Sequence, residues 1–378
     1  MKNCLPAVIS FIKKETVLCV ALVVALITMF FVPPSLSYLS YIDFRVLALL
    51  FCLMAVIAGF QSLGIFEKML PLLFRFAHTT RQLAMLLILS CFFLSMLVTN
   101  DVALITLVPF TILILNNLKK EALLLPIVVM QTIAANLGSM CTPIGNPQNL
   151  YLYTISNMDI LKFFRIMLPL SIASLILICI SFFFFPKENI ENSTASTSED
   201  TMPKNSKRQL ILYCLLLVLC FGTILHLIDY RIPFGAVVIT LLLTQRSLFR
   251  QIDYMLLLTF VAFFLFVGNL KNIPAVHDFL YRITQNREVT AAVLLSQVIS
   301  NVPCAVLLSG FTKKITALLI GTNLGGLGTL IASMASLISF KFYCNTPNSK
   351  KLRYLGVFTI VNILFLIILY GGYRLLPS

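Results

Sequence analysis

Nine apolar runs leave this chain one class of fold. They lie near residues 16–32, 42–60, 122–155, 166–185, 210–228, 232–245, 254–270, 315–340 and 354–372. Most are long enough to cross the ~30 Å hydrocarbon core of a bilayer as helix, the run at 232–245 being the shortest. In lipid every backbone N–H and C=O must find a partner inside the protein, so a spanning segment is a helix or a strand of a closed barrel. Runs of this length without polar alternation point to helices. With 59% hydrophobic and 11% charged residues, a soluble globule is excluded. The expected fold is all-α and polytopic, embedded in the lipid bilayer.

Two of the runs are interrupted. From Ala134 to Asn149 the chain carries N-L-G-S-M-C-T-P-I-G-N-P-Q-N, in which Pro143 and Pro147 lack amide donors and the glycines weaken helix. The span breaks here, and such a break survives in a membrane only where protein, water or a ligand satisfies it. A loop outside the membrane joining two short helices is the alternative. Two further stretches, 82–115 and 289–310, have polar centres, T-N-D at 99–101 and S-N-V-P at 300–303. Each reads as one span, or as a re-entrant hairpin of two short helices meeting at a polar tip.

The formal charge of +14 is spread over short loops rather than one patch, which fits membrane topology and not nucleic acid. With both polar-centred stretches as hairpins, 18 of the 28 basic residues fall on the N-terminal side. This places the N-terminus in the cytoplasm and the C-terminus outside a cell membrane. The ten cysteines show no C-x-x-C, and His78, His226 and His277 sit near span ends, away from metal spacing. The Ser/Thr-rich segment 187–209 reads as a flexible cytoplasmic linker. It separates a first membrane repeat (1–186) from a linking span (210–228) and a second, inverted repeat (229–378).

The repeat is visible in the residues. I-D-F at 42–44 answers I-D-Y at 252–254, Asn100 answers Asn301, and N-L-G-S-M-C-T-P-I-G (136–145) answers N-L-G-G-L-G-T-L-I-A (323–332). The last alignment pairs Asn136 with Asn323, Gly138 with Gly325 and Thr142 with Thr329. The offset between equivalent positions falls from 210 to 201 to 187 along the chain, as shortened loops require. An odd number of spans between the halves inverts the second. Inverted repeats with interrupted helices in matching places point to a secondary transporter with a midplane site.

An unwound helix offers carbonyls at one broken end and amides at the other. Carbonyls with Asn, Thr and Ser oxygens suit a hard cation such as Na⁺, and amide ends suit an anion. Asp101 is the one acidic residue placed deep in the membrane, where a carboxylate is functional by default: it can exchange a proton or hold Na⁺ near Asn100 and Asn136. Its alternative role is to cap the second hairpin helix. Gln131, Gln148 and Gln297 are read as helix bridges.

L-V-T-N-D-V-A-L, the stretch from Ala135 to Tyr151, S-N-V-P and T-N-L-G-G-L-G-T-L-I-A-S together resemble the citrate-transporter-like branch of the ion transporter superfamily. That branch includes arsenite permeases, sodium/proton antiporters and divalent-anion/sodium symporters. The resemblance implies a homodimer with elevator-type motion, in which Asn100 and Asn301 at the tips and Asn136 and Asn323 at the breaks line the site. Around them, Thr99, Asp101, Gly138, Thr142, Pro143, Gly145, Asn146, Ser300, Gly325, Gly326 and Thr329 are the remaining candidate site residues. The chain departs from the symporters, which carry S-N-T at both tips; its T-N-D resembles the arsenite permeases. In antiporter-like members G-D-P commonly stands where this chain has G-N-P at 145–147.

The expected function is a secondary carrier of a small anion, such as a carboxylate, coupled to Na⁺ or H⁺. The alternatives are a cation/proton antiporter and an arsenite-type oxyanion permease, with a channel as a further possibility. No G-x-S-x-G, H-E-x-x-H or G-x-x-x-x-G-K-[ST] supports an enzyme or direct use of ATP, and no cofactor beyond a coupling Na⁺ is implied.

Overall fold

The computed structural model describes residues 15–64, 77–190, 206–225, 227–347 and 349–375. Most of the linker at 187–209 lies outside them, as do the first fourteen residues and His226. Among the described residues the chain is all-α, with one isolated bridge between Thr79 and Asn189. The helices are α1 (Thr16–Met29), α2 (Phe44–Ser62), α3 (Thr80–Leu97), α4 (Asn100–Asn117), α5 (Leu124–Ser139), α6 (Pro147–Ser156), α7 (Ile160–Ser181) and α8 (Ser206–Ile224). They continue as α9 (Arg231–Thr244), α10 (Tyr254–Lys271), α11 (Pro274–Thr284), α12 (Glu288–Ile299), α13 (Asn301–Ser309), α14 (Ile315–Leu324), α15 (Met334–Cys344) and α16 (Lys351–Leu375). Each of the nine apolar runs is helical, the broken two as α5 with α6 and α14 with α15.

Local chemistry starts these helices where the sequence places polar residues. Asp43 accepts from the Val46 amide at 3.0 Å and Asp253 from the Leu256 amide at 2.9 Å, so the paired I-D motifs are matching N-caps. Thr79 and Gln82 form a capping box at the start of α3. Asp159 caps α7.

Both polar-centred stretches fold back. Thr80 donates its amide to the Glu188 carbonyl at 2.9 Å, and Lys120, just past α4, pairs with the Glu188 carboxylate. The two arms of the first hairpin therefore start and finish at one end of the molecule. In the second hairpin Glu288 at the start of α12 pairs with Lys314, beyond α13, at 3.4 Å. The arms differ from the expectation of short helices at both tips. α3 and α4 have 18 residues each, about 27 Å at 1.5 Å per residue, whereas α12 has 12 and α13 has 9. The reason is visible in the sequence: apolar residues run almost unbroken from Leu83 to Val98 and from Val102 to Leu115, so helix continues to the capped end.

Packing follows a crossed scheme. α3 lies along α5, and α12 along α14; α15 packs on α4 and α5 of the first half, while α6 packs on α13 and α14 of the second. Likewise α1 lies on α10 and α9 on α2. Buried polar pairs fix these contacts: Asn269 of α10 donates to the Thr28 hydroxyl of α1 at 3.1 Å and to Tyr38 at 3.0 Å. At the same end Arg45 donates to the Thr223 carbonyl at 3.0 Å.

Candidate functional site

The first break spans residues 140–146, between α5 and α6. Pro147 occupies the first turn of α6, where no amide is needed, and Asn146 caps it by accepting the Asn149 amide at 2.8 Å. Asn149 turns back on the loop and donates to the carbonyls of Met140 at 3.2 Å and Thr142 at 3.1 Å. Buried carbonyls freed by the break are thus satisfied by one side chain. Pro143 lies buried in this loop. In the second break Gln297 does the same work from the hairpin, donating to Gly325 at 3.1 Å and Leu327 at 2.9 Å and accepting the Thr329 amide at 2.8 Å. Gly328 is required there: its φ is +114°, and a Cβ would stand 2.2 Å from Gln297 Oε1.

Equivalent positions of the two halves make equivalent bonds. The Asn100 amide donates to Gly145 O at 3.0 Å, and the Asn301 amide to Ala332 O at 2.9 Å. Thr142 donates its hydroxyl to Met96 O at 2.7 Å, and Thr329 to Gln297 O at 3.0 Å. Gly138 and Gly325 sit where a Cβ would come within 2.6 Å of the Ser95 and Ser296 hydroxyls respectively. Each tip is therefore fastened to the break of its own half.

Across the halves runs a cluster of carboxamides. Asn100 Nδ2 donates to Asn136 Oδ1 at 3.0 Å, which also accepts from Ser333 Oγ at 3.1 Å, and Asn136 Nδ2 reaches Gly326 O at 3.3 Å. Asn146 Nδ2 donates to Asn323 Oδ1 at 3.0 Å and to Ser139 Oγ at 3.1 Å; Asn323 Nδ2 donates to Asn149 Oδ1 at 2.6 Å. Asn146 and Ser333 are themselves equivalent at the offset of 187, so the residue opening each second half-helix grips the break asparagine of the other repeat. The two halves differ at the tips. Asn136 meets Asn100, but Asn323 faces Asn146 and Asn149 instead of Asn301. Asn301 Oδ1 accepts the Val302 amide at 3.0 Å, and Ser300 sits at φ +74°. A break asparagine bonds to the tip of its own half in the first repeat only; in the second, Asn149 is the partner of Asn323.

The first tip carries an unusual pair. Thr99 caps α4 by accepting the Val102 amide, so Asp101 is not the cap. Asn100 Oδ1 and Asp101 Oδ1 are both buried without a hydrogen-bond partner. Among the described residues no lysine or arginine side chain is buried, and none forms part of this cluster. Nor do the described residues bring three or more His, Cys, Asp or Glu together in a group that could hold a metal ion. The hydrogen-bonded cluster itself is neutral, and at the tip where it ends the Asn100 and Asp101 oxygens are unpaired.

Sequence reasoning omitted Ser139, Asn149, Gln297 as a loop clamp, and Ser333. Ser333 was open to detection, since the repeat alignment extended by one residue sets it opposite Asn146. Asn149 is the most connected of these. Asn149→Ala strands the Met140 carbonyl and one N–H of the Asn323 amide group, which keeps its bond to Leu319 O at 2.7 Å, and leaves Thr142 O with the Gly145 amide alone at 3.3 Å; each buried group left unpaired costs roughly 1–3 kcal/mol. A melting curve of the purified variant is expected to lie well below wild type, and an unchanged curve would mean the loop repairs itself with water.

A polytopic helical chain in which two interrupted helices and two hairpin tips converge belongs to the class of membrane transporters. The chain belongs to the citrate transporter family, whose model matches residues 7–317. It is 33% identical over 300 residues to an uncharacterized transporter of Methanocaldococcus jannaschii, covering 77% of this chain and 78% of that protein. It is 32% identical over 319 residues to the inner membrane protein YbiR of Escherichia coli, covering 82% and 83%. A silicon efflux transporter of Oryza sativa is 32% identical over 136 residues, 35% of this chain and 27% of that protein.

Proposed function

We propose that the protein is a secondary carrier of a small anion, with a carboxylate such as citrate or a dicarboxylate as the first candidate, coupled to Na⁺ or H⁺. The observation that carries this reading is the pairing of a neutral amide cluster with the orphaned oxygens of Asn100 and Asp101. Amides and helix ends can hold an anion's oxygens. With no buried basic side chain among the described residues, however, the charge of the anion and that of Asp101 repel in a low-dielectric site. A cation on Asn100 Oδ1 and Asp101, or a proton on Asp101, removes the repulsion, so anion and cation bind together or not at all. To position the anion, Asn136, Asn323 and Asn146 exchange bonds they now make to one another and to Gly326 and Ser139 for bonds to its oxygens. The donor set, carboxylate and carboxamide oxygens only, suits a hard cation.

The carrier works in the cell membrane as a homodimer, its N-terminus cytoplasmic, as the excess of basic residues on that side supports. The domain division at 187–209 and 210–228 separates the two inverted halves. A second reading, efflux of a metalloid oxyanion or hydroxide, is favoured by the neutrality of the cluster and by the rice relative's name. Cation/proton antiport is the third, resting on Asp101.

A thermal-shift screen followed by vesicle uptake separates these. Carboxylate stabilisation that appears only with Na⁺ or at acid pH, together with gradient-driven uptake, is the expected result. Stabilisation by arsenite or silicic acid alone selects the second reading. Proton release on adding Na⁺ with no anion effect selects the third.

A further inference from the structure

Two adjoining clefts, of about 420 Å³ and 380 Å³, open at the end of the molecule where α2 begins and α10 finishes. Both are lined by Tyr41, Tyr151 and Phe264, so they share a wall. One side belongs to α2 and α10. The other belongs to α6 and α13, the helices that leave the first break and the second tip.

The charges here differ from those of the deep cluster. Arg45 lines the first cleft and Lys271 the second. Arg45 spends one donor on the Thr223 carbonyl and keeps the remainder of its guanidinium fork. Lys271 is exposed. Asp43 is the one carboxylate in the lining, and its Oδ1 is committed to the first turn of α2, at 3.0 Å from the Val46 amide. Hydroxyls of Ser40, Tyr41 and Tyr230 complete the first cleft. Tyr151 shares a hydrogen with Ser309 at 2.7 Å, which ties α6 to α13 behind it.

The repeat supplies a control inside the same molecule. At the offset of 210 that relates Asp43 to Asp253, Arg45 corresponds to Met255 and Lys271 to Gln61. Both basic side chains therefore belong to one end of the transporter and have no counterpart at the other.

We propose that this double cleft is an anion-collecting vestibule, a weak site for small carboxylates or oxyanions on one face of the membrane. Basic side chains on low-dielectric walls focus a positive potential into a cleft and raise the local concentration of anions. The deep cluster has no positive side chain of its own, so the vestibule draws the anion to within reach of α6 and α13. What becomes of the anion afterwards rests on the transport reading; the vestibule's binding does not.

The chain contains no tryptophan, so Ile155→Trp places a single fluorophore on the wall of both clefts, and Tyr230→Trp places one in the first. The full-length protein in detergent is quenched with iodide or with caesium at fixed ionic strength. With each quencher normalised to its effect on free N-acetyltryptophanamide, iodide is expected to quench about threefold more strongly than caesium. Lys271→Gln and the Arg45→Gln/Lys271→Gln pair should remove that preference. Citrate, and separately phosphate, should protect against iodide at constant ionic strength, and their ranking separates carboxylate from oxyanion. Equal quenching by the two ions in both reporters overturns the proposal, and so does a preference that survives in Lys271→Gln and in the pair. A retained iodide preference with no uptake of any anion would sink the transport reading alone.

Discussion

Asp101→Asn abolishes cation-coupled uptake while leaving the fold intact or firmer. The two halves of this expectation come from the same feature. Asp101 Oδ1 is buried without a partner, and Thr99, not Asp101, caps α4. The substitution therefore removes no native hydrogen bond at that oxygen, and it relieves a buried carboxyl group of its desolvation. An apparent melting temperature at or above wild type is expected. Transport behaves oppositely, because losing one partner of a buried charge pair costs about 2–5 kcal/mol, roughly 30- to 4,000-fold in binding. Na⁺- or acid-dependent stabilisation should vanish with it. A structural role would show the reverse pattern, a lower melting temperature with coupling preserved, and that outcome would remove Asp101 from the mechanism. Val302, its counterpart in the second tip, offers no oxygen, so the expected cation stoichiometry at the tips is asymmetric.

Much of the architecture was open to reading in the residues, for identifiable reasons. Apolar runs must be helices in lipid, and the inserts at 134–149 and 323–332 read as breaks in them, from Pro143 and Pro147 in the first and from clustered glycines in the second. The repeat alignment singled out the asparagines at the tips and breaks, and two of them, Asn100 and Asn136, bond to each other. The reach of the first hairpin was less legible. Hydropathy marks where helix is tolerated, but the ion pair of Lys120 with Glu188, 68 residues apart in sequence, fixes where its ends meet. Partner choice inside the cluster was also hidden. Asn149 and Asn301 are both plausible neighbours for Asn323, and only the crossed packing of α6 on α13 and α14 brings Asn149 there. Thr142 and Thr329 illustrate the same limit: read as lining residues, they donate their hydroxyls to backbone carbonyls of the hairpins, which makes them anchors.

Those anchors matter because the cluster's geometry depends on how closely α5 and α14 approach their hairpins, and substitutions at Gly138 and Gly325 measure that dependence. A Cβ on Gly138 would stand 2.1 Å from Phe92 O and 2.6 Å from Ser95 Oγ, and one on Gly325 2.6 Å from Ser296 Oγ and 2.8 Å from Gly321 O. No rotamer change clears Phe92 O, since it is backbone; α5 must move off α3, and Asn136, half a turn away, moves off Asn100 with it. Gly138→Ala should therefore lower stability by about 1–3 kcal/mol or more, as overpacking does, and take transport with it. Gly325→Ala meets a serine side chain at 2.6 Å and a backbone oxygen, Gly321 O, only at 2.8 Å, so its cost should be smaller than that of Gly138→Ala. Ser296→Gly is expected to recover part of it, whereas Ser95→Gly leaves Gly138→Ala nearly as damaged. The four variants and two pairs can be ranked by melting temperature in one series. Equal rescue in both halves would mean that the serines, and not the backbone of α3, set the approach, and the break in the first repeat would then be held from the loop by Asn149 and Thr142 alone.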